Sequence, residues 1–166
     1  MLTKRVLLWP FMLLLTVAFT GCDSNDDDAD PADVAGRYGF ATLNFETQSP
    51  AVPDADVLTY INGQSTELEL FNDGDFLLRY TFNNGSSGAA SGTFSVTDTR
   101  VTLNVDSNDE DEFEALLLDP RVRLDRENTA LTSTSSKSVN LESLDPEFFD
   151  TLEDVPGTLT IRLTRR

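Results

Sequence analysis

The sequence predicts an all-β fold, a small antiparallel up-and-down barrel of about eight to ten strands with one short helix before the last strand. Three observations carry this. From Val34 onward apolar and polar residues alternate, which is the period of half-buried strands. Turn signals recur too closely to leave room for the crossover helices of a parallel sheet. A chain of 166 residues holds one domain of ordinary size. With one dry face and this many short strands, closure into a barrel removes the exposed edges.

Nine segments carry the pattern: Gly36–Phe45, Val57–Ile61, Thr66–Phe71, Asp75–Phe82, Ser91–Val96, Arg100–Val105, Arg121–Arg126, Thr129–Ser133 and Gly157–Arg165. Phe76, Leu78, Tyr80 and Phe82 share one face, opposite Asp75, Arg79 and Thr81. Val101, Leu103 and Val105 alternate with Arg100, Thr102 and Asn104, and Leu159, Ile161 and Leu163 with Thr160, Arg162 and Thr164. A one-residue slip would turn these faces outward, so the register is well specified. Asn62-Gly63 reads as a type I′ hairpin turn and Asn72-Asp73-Gly74 as the next turn. A longer loop follows at Asn83–Gly88, then turns at Thr97–Thr99 and Glu127-Asn128. Asp145-Pro146-Glu147 reads as an N-cap, a proline at the first helical position and an acidic first turn. Phe148, Leu152 and Val155 then form a helical stripe, flanked by Phe149, that ends at Pro156-Gly157. Asp111–Leu118 suits helix and strand alike.

The start of the chain reads as an export signal. Lys4 and Arg5 precede an apolar run from Val6 to Phe19, broken by Pro10 and shorter than the roughly 20 residues of a spanning helix. Residues 23–33 then contain six aspartates, no basic residue and no large apolar one. Such a stretch cannot bury enough surface to order itself, and fully extended it reaches about 40 Å. The organisation expected is a signal peptide over 1–21, a cysteine and acidic tether over 22–33, and the barrel over 34–166.

Composition excludes several function classes. There are 29 acidic and 12 basic residues, no histidine and a single cysteine. Ser-His-Asp and Cys-His nucleophile systems, His-ligated zinc and an intrachain disulfide are therefore ruled out. The acidic balance, with no basic run, argues against nucleic-acid binding. Aspartate outnumbers glutamate 19 to 10 and Lys137 is the only lysine beyond the leader, a composition like that of halophilic proteins. Such a domain is expected to be more stable in molar salt, which screens its self-repulsion.

Few residues suggest chemistry. The run Asp106–Glu112 superficially matches a calcium loop, but Asp111 stands where an EF-hand needs glycine, and the reading adopted is a solvated hairpin tip. Glu67 and Glu69 lie on a wet strand face. Ser133–Ser138 is polar, with no base to activate a hydroxyl. Arg121, Arg123 and Arg126 are expected to pair with neighbouring carboxylates. No cofactor, metal site or enzymatic activity is expected. The inward aromatics Tyr38, Phe40, Phe76, Tyr80, Phe82 and Phe94 pose the functional question, since a barrel this size is either filled or holds one small ligand. A filled core is the favoured reading, with Gly39 and Gly92 leaving room for a pocket at one end.

Two resemblances sharpen this. Phe19-Thr20-Gly21-Cys22 resembles the lipobox of bacterial lipoproteins, with Phe19 where leucine is usual. That resemblance implies cleavage before Cys22, a diacylglyceryl thioether on its sulfur, and a membrane partner reached through the lipid. The aspartates that follow resemble export tags of Bacteroidetes surface lipoproteins, implying the outer membrane or cell surface, whereas by enterobacterial sorting Asp23 implies inner-membrane retention. Next, Gly36-Arg37-Tyr38, Phe71–Phe76, Ser91–Phe94 and Gly157–Ile161 occur in an order similar to bacterial lipocalin-like domains, with Tyr38 where that family usually has tryptophan. It implies a small barrel binding an apolar or amphipathic molecule. The competing reading is an envelope interaction module with a packed core, meeting a partner protein or polymer through loops or its acidic face. The chain is expected to be monomeric.

Overall fold

The computed structural model describes residues 29–145, 147–149 and 154–166. The leader, Cys22 and the tether as far as Asp28 lie outside the described residues. The tether's last residues, Pro31–Asp33, form a 3-10 turn capped by the Asp30 side chain.

Nine strands follow: β1 (Gly36–Thr47), β2 (Ala55–Asp56), β3 (Glu67–Leu70), β4 (Asp75–Thr81), β5 (Ser87–Val96), β6 (Arg100–Val105), β7 (Arg121–Glu127), β8 (Ala130–Val139) and β9 (Val155–Arg165). From β3 to β9 each strand pairs antiparallel with the next, and β1 pairs with both β3 and β9. Eight strands thus close an up-and-down barrel, and β2 adds two residues to the β1 edge. The alternation expected from sequence sets the register: Leu68, Leu70, Phe76, Leu78, Phe94, Val101, Leu103, Val122, Leu124, Leu159, Ile161 and Leu163 are all buried. Each such side chain contributes about 1.5–3 kcal/mol. The outer-face ion pairs Arg37–Glu69 (3.2 Å), Arg79–Glu69 (3.3 Å) and Arg100–Asp125 (3.0 Å) are exposed and each contribute about 1 kcal/mol or less. The interior holds the fold.

The two ends of the barrel differ. One is closed by tight turns at residues 71–74, 97–99 and 128–129 and by the N-terminal 3-10 turn. All four long connections, 48–66, 82–86, 106–120 and 140–154, emerge at the other end. Three of them return apolar residues to the core, among them Val57, Phe113, Leu116 and Leu141, each with no exposed surface.

Several expectations are corrected. Val57–Ile61 is not a strand: Asp56 accepts the Leu58 amide (3.1 Å) and Val57–Thr59 is a 3-10 helix, with Ile61 making one bridge to Phe82. Gly63 lacks the positive φ of a type I′ turn. A bulge between Phe40 and Thr42 shifts the phase of β1, so Tyr38 and Phe40 point inward before it and Leu43 and Phe45 after it. Asp106–Glu112 is solvated at Asp106–Asn108 and Asp111 but is no hairpin tip, because it runs into helix α1 (Glu110–Glu114), whose Phe113 lies in the core. Asp145 does cap the chain, accepting the amides of Glu147 and Phe148 (both 3.1 Å). Beyond it Phe148 is 62% exposed and Phe149 fully buried, the reverse of the expected stripe, and Leu152 lies outside the described residues. Among the described residues no helix is long and apolar enough to cross a membrane.

Candidate functional site

The six aromatics picked out from the sequence all join the core, but they do not surround one space. Tyr38 sits at the closed end, its hydroxyl donating to the Val34 carbonyl (2.7 Å), and burial raises its pKa. Phe76 packs against Phe113 of α1 at 5.7 Å between ring centroids. Phe94 lies between β4 and β6 with 6% exposure. Tyr80 and Phe82 form an edge-on pair (5.3 Å) at the looped end, where Phe82 is half-buried. Phe40 alone of the six lines the space that remains inside. That cavity measures about 10 Å³, bounded by Phe40, Leu68, Leu103, Phe113, Leu124 and Ile161 among others. It is close to the least volume that holds a water molecule, and its walls are apolar.

The room expected beside the glycines is taken. A Cβ on Gly92 would strike the Asn104 carbonyl and lie 2.8 Å from the Phe76 ring. Gly39 lies under the Arg166 side chain. These two glycines permit close approach and leave no pocket inside the barrel; Gly92 lines only an open groove on the outer surface.

The looped mouth is closed by residues 106–120. The acidic first turn of α1 (Glu110, Asp111, Glu112) favours the positive helix N-terminus, and Phe113 pins the helix to the core. The helix ends with the Leu118 amide donating to the Phe113 carbonyl (3.0 Å) and the Leu117 amide to that of Glu114 (2.8 Å). This Schellman arrangement places Leu117 at φ 59°, where glycine is usual. Its buried side chain holds it there at a cost of about 1–3 kcal/mol.

Three polar latches tie this lid to the barrel. The Ser91 amide (2.9 Å) and hydroxyl (2.8 Å) donate to Asp109, and the amide bond leads in holding its carboxyl below the usual range. The Tyr80 hydroxyl donates to Glu112, and burial, then this bond, push the Tyr80 pKa well up. Lys137, at an inward position of β8, donates to the Leu117 carbonyl (2.9 Å) and to Asp119 (2.6 Å). Between lid and β8 lies a cleft of about 470 Å³ lined by Asp111, Glu114, Leu117, Asp119, Lys137 and Asp154 among others. Sequence reasoning missed both Lys137 and Glu112. A lysine at an inward register position was the available signal. Among the described residues no group of three or more acidic side chains is placed to hold a metal.

The Arg121, Arg123 and Arg126 expectation also changes. Arg126 donates to the Thr97 carbonyl (3.0 Å), while Arg121 and Arg123 have no hydrogen-bond or ion-pair partner among the described residues. Cys22 lies outside the described residues.

These features define a small, closed, up-and-down antiparallel β-barrel with a filled interior and a latched lid. Among solved structures, a lipocalin-like protein from Bacteroides uniformis is similar over 81% of this chain and 99% of its own, at 12% identity and a TM-score of 0.45. An uncharacterized protein from Bacteroides eggerthii is similar over 80% and 99%, at 12% identity and 0.39. No family model and no curated protein matches the chain.

Proposed function

We propose that this chain is a lipid-anchored, non-enzymatic interaction module of the cell envelope, whose barrel is a packed scaffold and whose looped mouth meets a partner. One observation carries the reading: the interior retains about 10 Å³, whereas small-molecule sites occupy roughly 300–1,000 Å³. Anchoring rests on the lipobox resemblance at Cys22, with two or three acyl chains holding where one is marginal. The acidic tether then holds the domain off an anionic surface, at the outer membrane or cell surface. Titration with an apolar fluorescent probe tests the scaffold: no saturable signal is expected, and stoichiometric binding would refute it. Replacing Cys22 with Ala is expected to release the chain or leave it unprocessed, and a processed, still membrane-bound variant would refute the anchor.

A second reading, binding of a small apolar or amphipathic molecule after the lid lifts, draws on the lid itself. Residues 106–120 are held to the strands by polar latches, and Leu117 keeps a backbone conformation unfavourable to leucine. Lifting the segment would withdraw Phe113 and Leu118, both of which line the interior.

A further inference from the structure

One neighbouring pair in the closed barrel, β7 and β8, is joined over only part of its length, leaving a seam. All ten residues of β8 pair with β9, yet only Ala130, Leu131 and Thr132 pair with β7, through Glu127, Arg126 and Asp125. Toward the looped end the two strands part. The hydrogen-bond phase shows which backbone groups are left over. The Arg165 amide donates to the Thr129 carbonyl (3.1 Å), so the odd-numbered residues of β8 bond to β9. Thr134, Ser136 and Ser138 therefore aim their amides and carbonyls into the seam. On the other side, the Val105 amide donates to Pro120 (2.9 Å) and Arg126 to Thr99 (2.8 Å), so even-numbered residues of β7 bond to β6. Arg121 and Arg123 aim theirs into the seam.

Edge strands in isolated proteins are ordinarily guarded by charge, proline or a bulge. This edge has none. Thr134, Ser136 and Ser138 are exposed, small and uncharged, Lys137 points inward to the lid, and no acidic residue occurs from Asn128 to Leu141. The two arginines facing the seam are also the exception among their kind. Arg37, Arg79, Arg100, Arg162 and Arg166 pair with carboxylates, and Arg126 and Arg165 donate to backbone carbonyls. Arg121 and Arg123, exposed in a chain of net charge −17, have no partner among the described residues.

We propose that the β7–β8 seam accepts an extended acidic segment of a partner protein as an added strand. The inference rests on the interaction-module reading and names the partner's chemistry. Main-chain bonds to Thr134, Ser136 and Ser138 supply affinity, and alternate side chains supply specificity. Outward side chains of the added strand lie beside Arg121 and Arg123, which select carboxylates. Inward ones lie between Val122 and Leu124 on one side and Ser133 and Ser135 on the other, which select small apolar groups. The free run Thr134–Ser138 is about 16 Å long at roughly 3.3 Å per residue. A second copy of this chain fits less well, because its own β8 brings no carboxylate to the arginines.

The test uses the full chain in detergent micelles and a fluorescein-labelled, eight-residue peptide of alternating Glu and Val, beside a Lys/Val counterpart. Saturable binding of the Glu/Val peptide is expected, at least tenfold weaker in the Arg121→Glu, Arg123→Glu double variant. Hydrogen exchange is expected to slow at the amides of Thr134, Ser136 and Ser138 on binding, while those of Ser133 and Ser135 stay protected throughout. Ser136→Pro removes one seam amide without touching the β9 ladder and should weaken binding at least tenfold. Unchanged exchange at the three seam amides at saturating peptide would overturn the proposal. So would no binding of the Glu/Val peptide at millimolar concentration, equal binding of the Lys/Val peptide, or the same protection arising from self-association without peptide. Amide protection reads the seam and the apolar-probe titration reads the packed interior, so failure of one is distinguishable from failure of the other.

Discussion

Replacing Phe113 with alanine tests whether the lid seals the barrel. The ring has no exposed surface, packs at a tilt against Phe76 with centroids 5.7 Å apart and bounds the 10 Å³ residual cavity. Its removal loses about 2 kcal/mol of transfer free energy and opens about 100 Å³ of apolar space. At roughly 24 cal/mol per Å³ that void costs about 2 kcal/mol more, so a total near 4 kcal/mol is expected. For a domain of this size that lowers Tm by about 8–16 °C. Denaturant unfolding in molar salt, followed by near-ultraviolet circular dichroism, measures the loss. Benzene supplies a second readout, because an apolar void of that order binds it and the parent cavity is too small. A loss below about 1 kcal/mol with no benzene binding would refute the reasoning, since it would place Phe113 outside the sealed interior.

Other outcomes follow from the latches and the packing. Tyr80→Phe leaves Glu112 without its donor and should cost about 1–2 kcal/mol, with faster amide exchange confined to residues 106–120. Because the folded Tyr80 pKa lies above its ordinary value of 10.0, its contribution is complete below pH 10 and is lost as pH rises through the folded value; between the two, the phenolate absorbance that Tyr80→Phe removes should appear only on unfolding. Asp109 has the opposite sign: its folded pKa lies below 3.8, so the latch is present above that pH and loosens as pH falls through the folded value. Ser91→Ala should reduce that acid sensitivity in α1 amide exchange. Gly92→Ala forces a methyl against the Asn104 carbonyl and the Phe76 ring and should destabilise by about 1–3 kcal/mol in the same unfolding assay. Finally, Tm should rise between dilute buffer and molar salt, and equal values would remove the halophilic reading.

Strands whose two faces differ in polarity were legible in the sequence. Arg100–Val105 forms β6 with both ends as expected, and Asp75–Phe82 and Arg121–Arg126 each differ from β4 and β7 by one residue. Where side chains carry no contrast, the strand is set by its neighbours. Ser87–Ala90 extends β5 by pairing with β4, and Thr134–Val139 extends β8 by pairing with β9. Local capping overrode the apolar pattern at Val57–Thr59, because a preceding aspartate can bond the backbone two residues on. The lid was hidden by its own charge, since Asp106–Glu112 reads as solvated until Phe113, Leu116, Leu117 and Leu118 are seen to enter the core together. The inward aromatics were legible as core residues, but no sequence pattern reports whether a barrel is full. The seam was invisible because it depends on which strand β8 fails to pair.

The most direct test of a packed interaction module is native mass spectrometry of the chain, purified in high salt from cells that make it, before and after incubation with an envelope lipid extract. The account predicts the bare mass of the chain and its anchor in both spectra. A reproducible further increment, removed by organic extraction and absent when Phe40 is replaced by Trp to fill the remaining cavity, would contradict it and make the barrel a carrier.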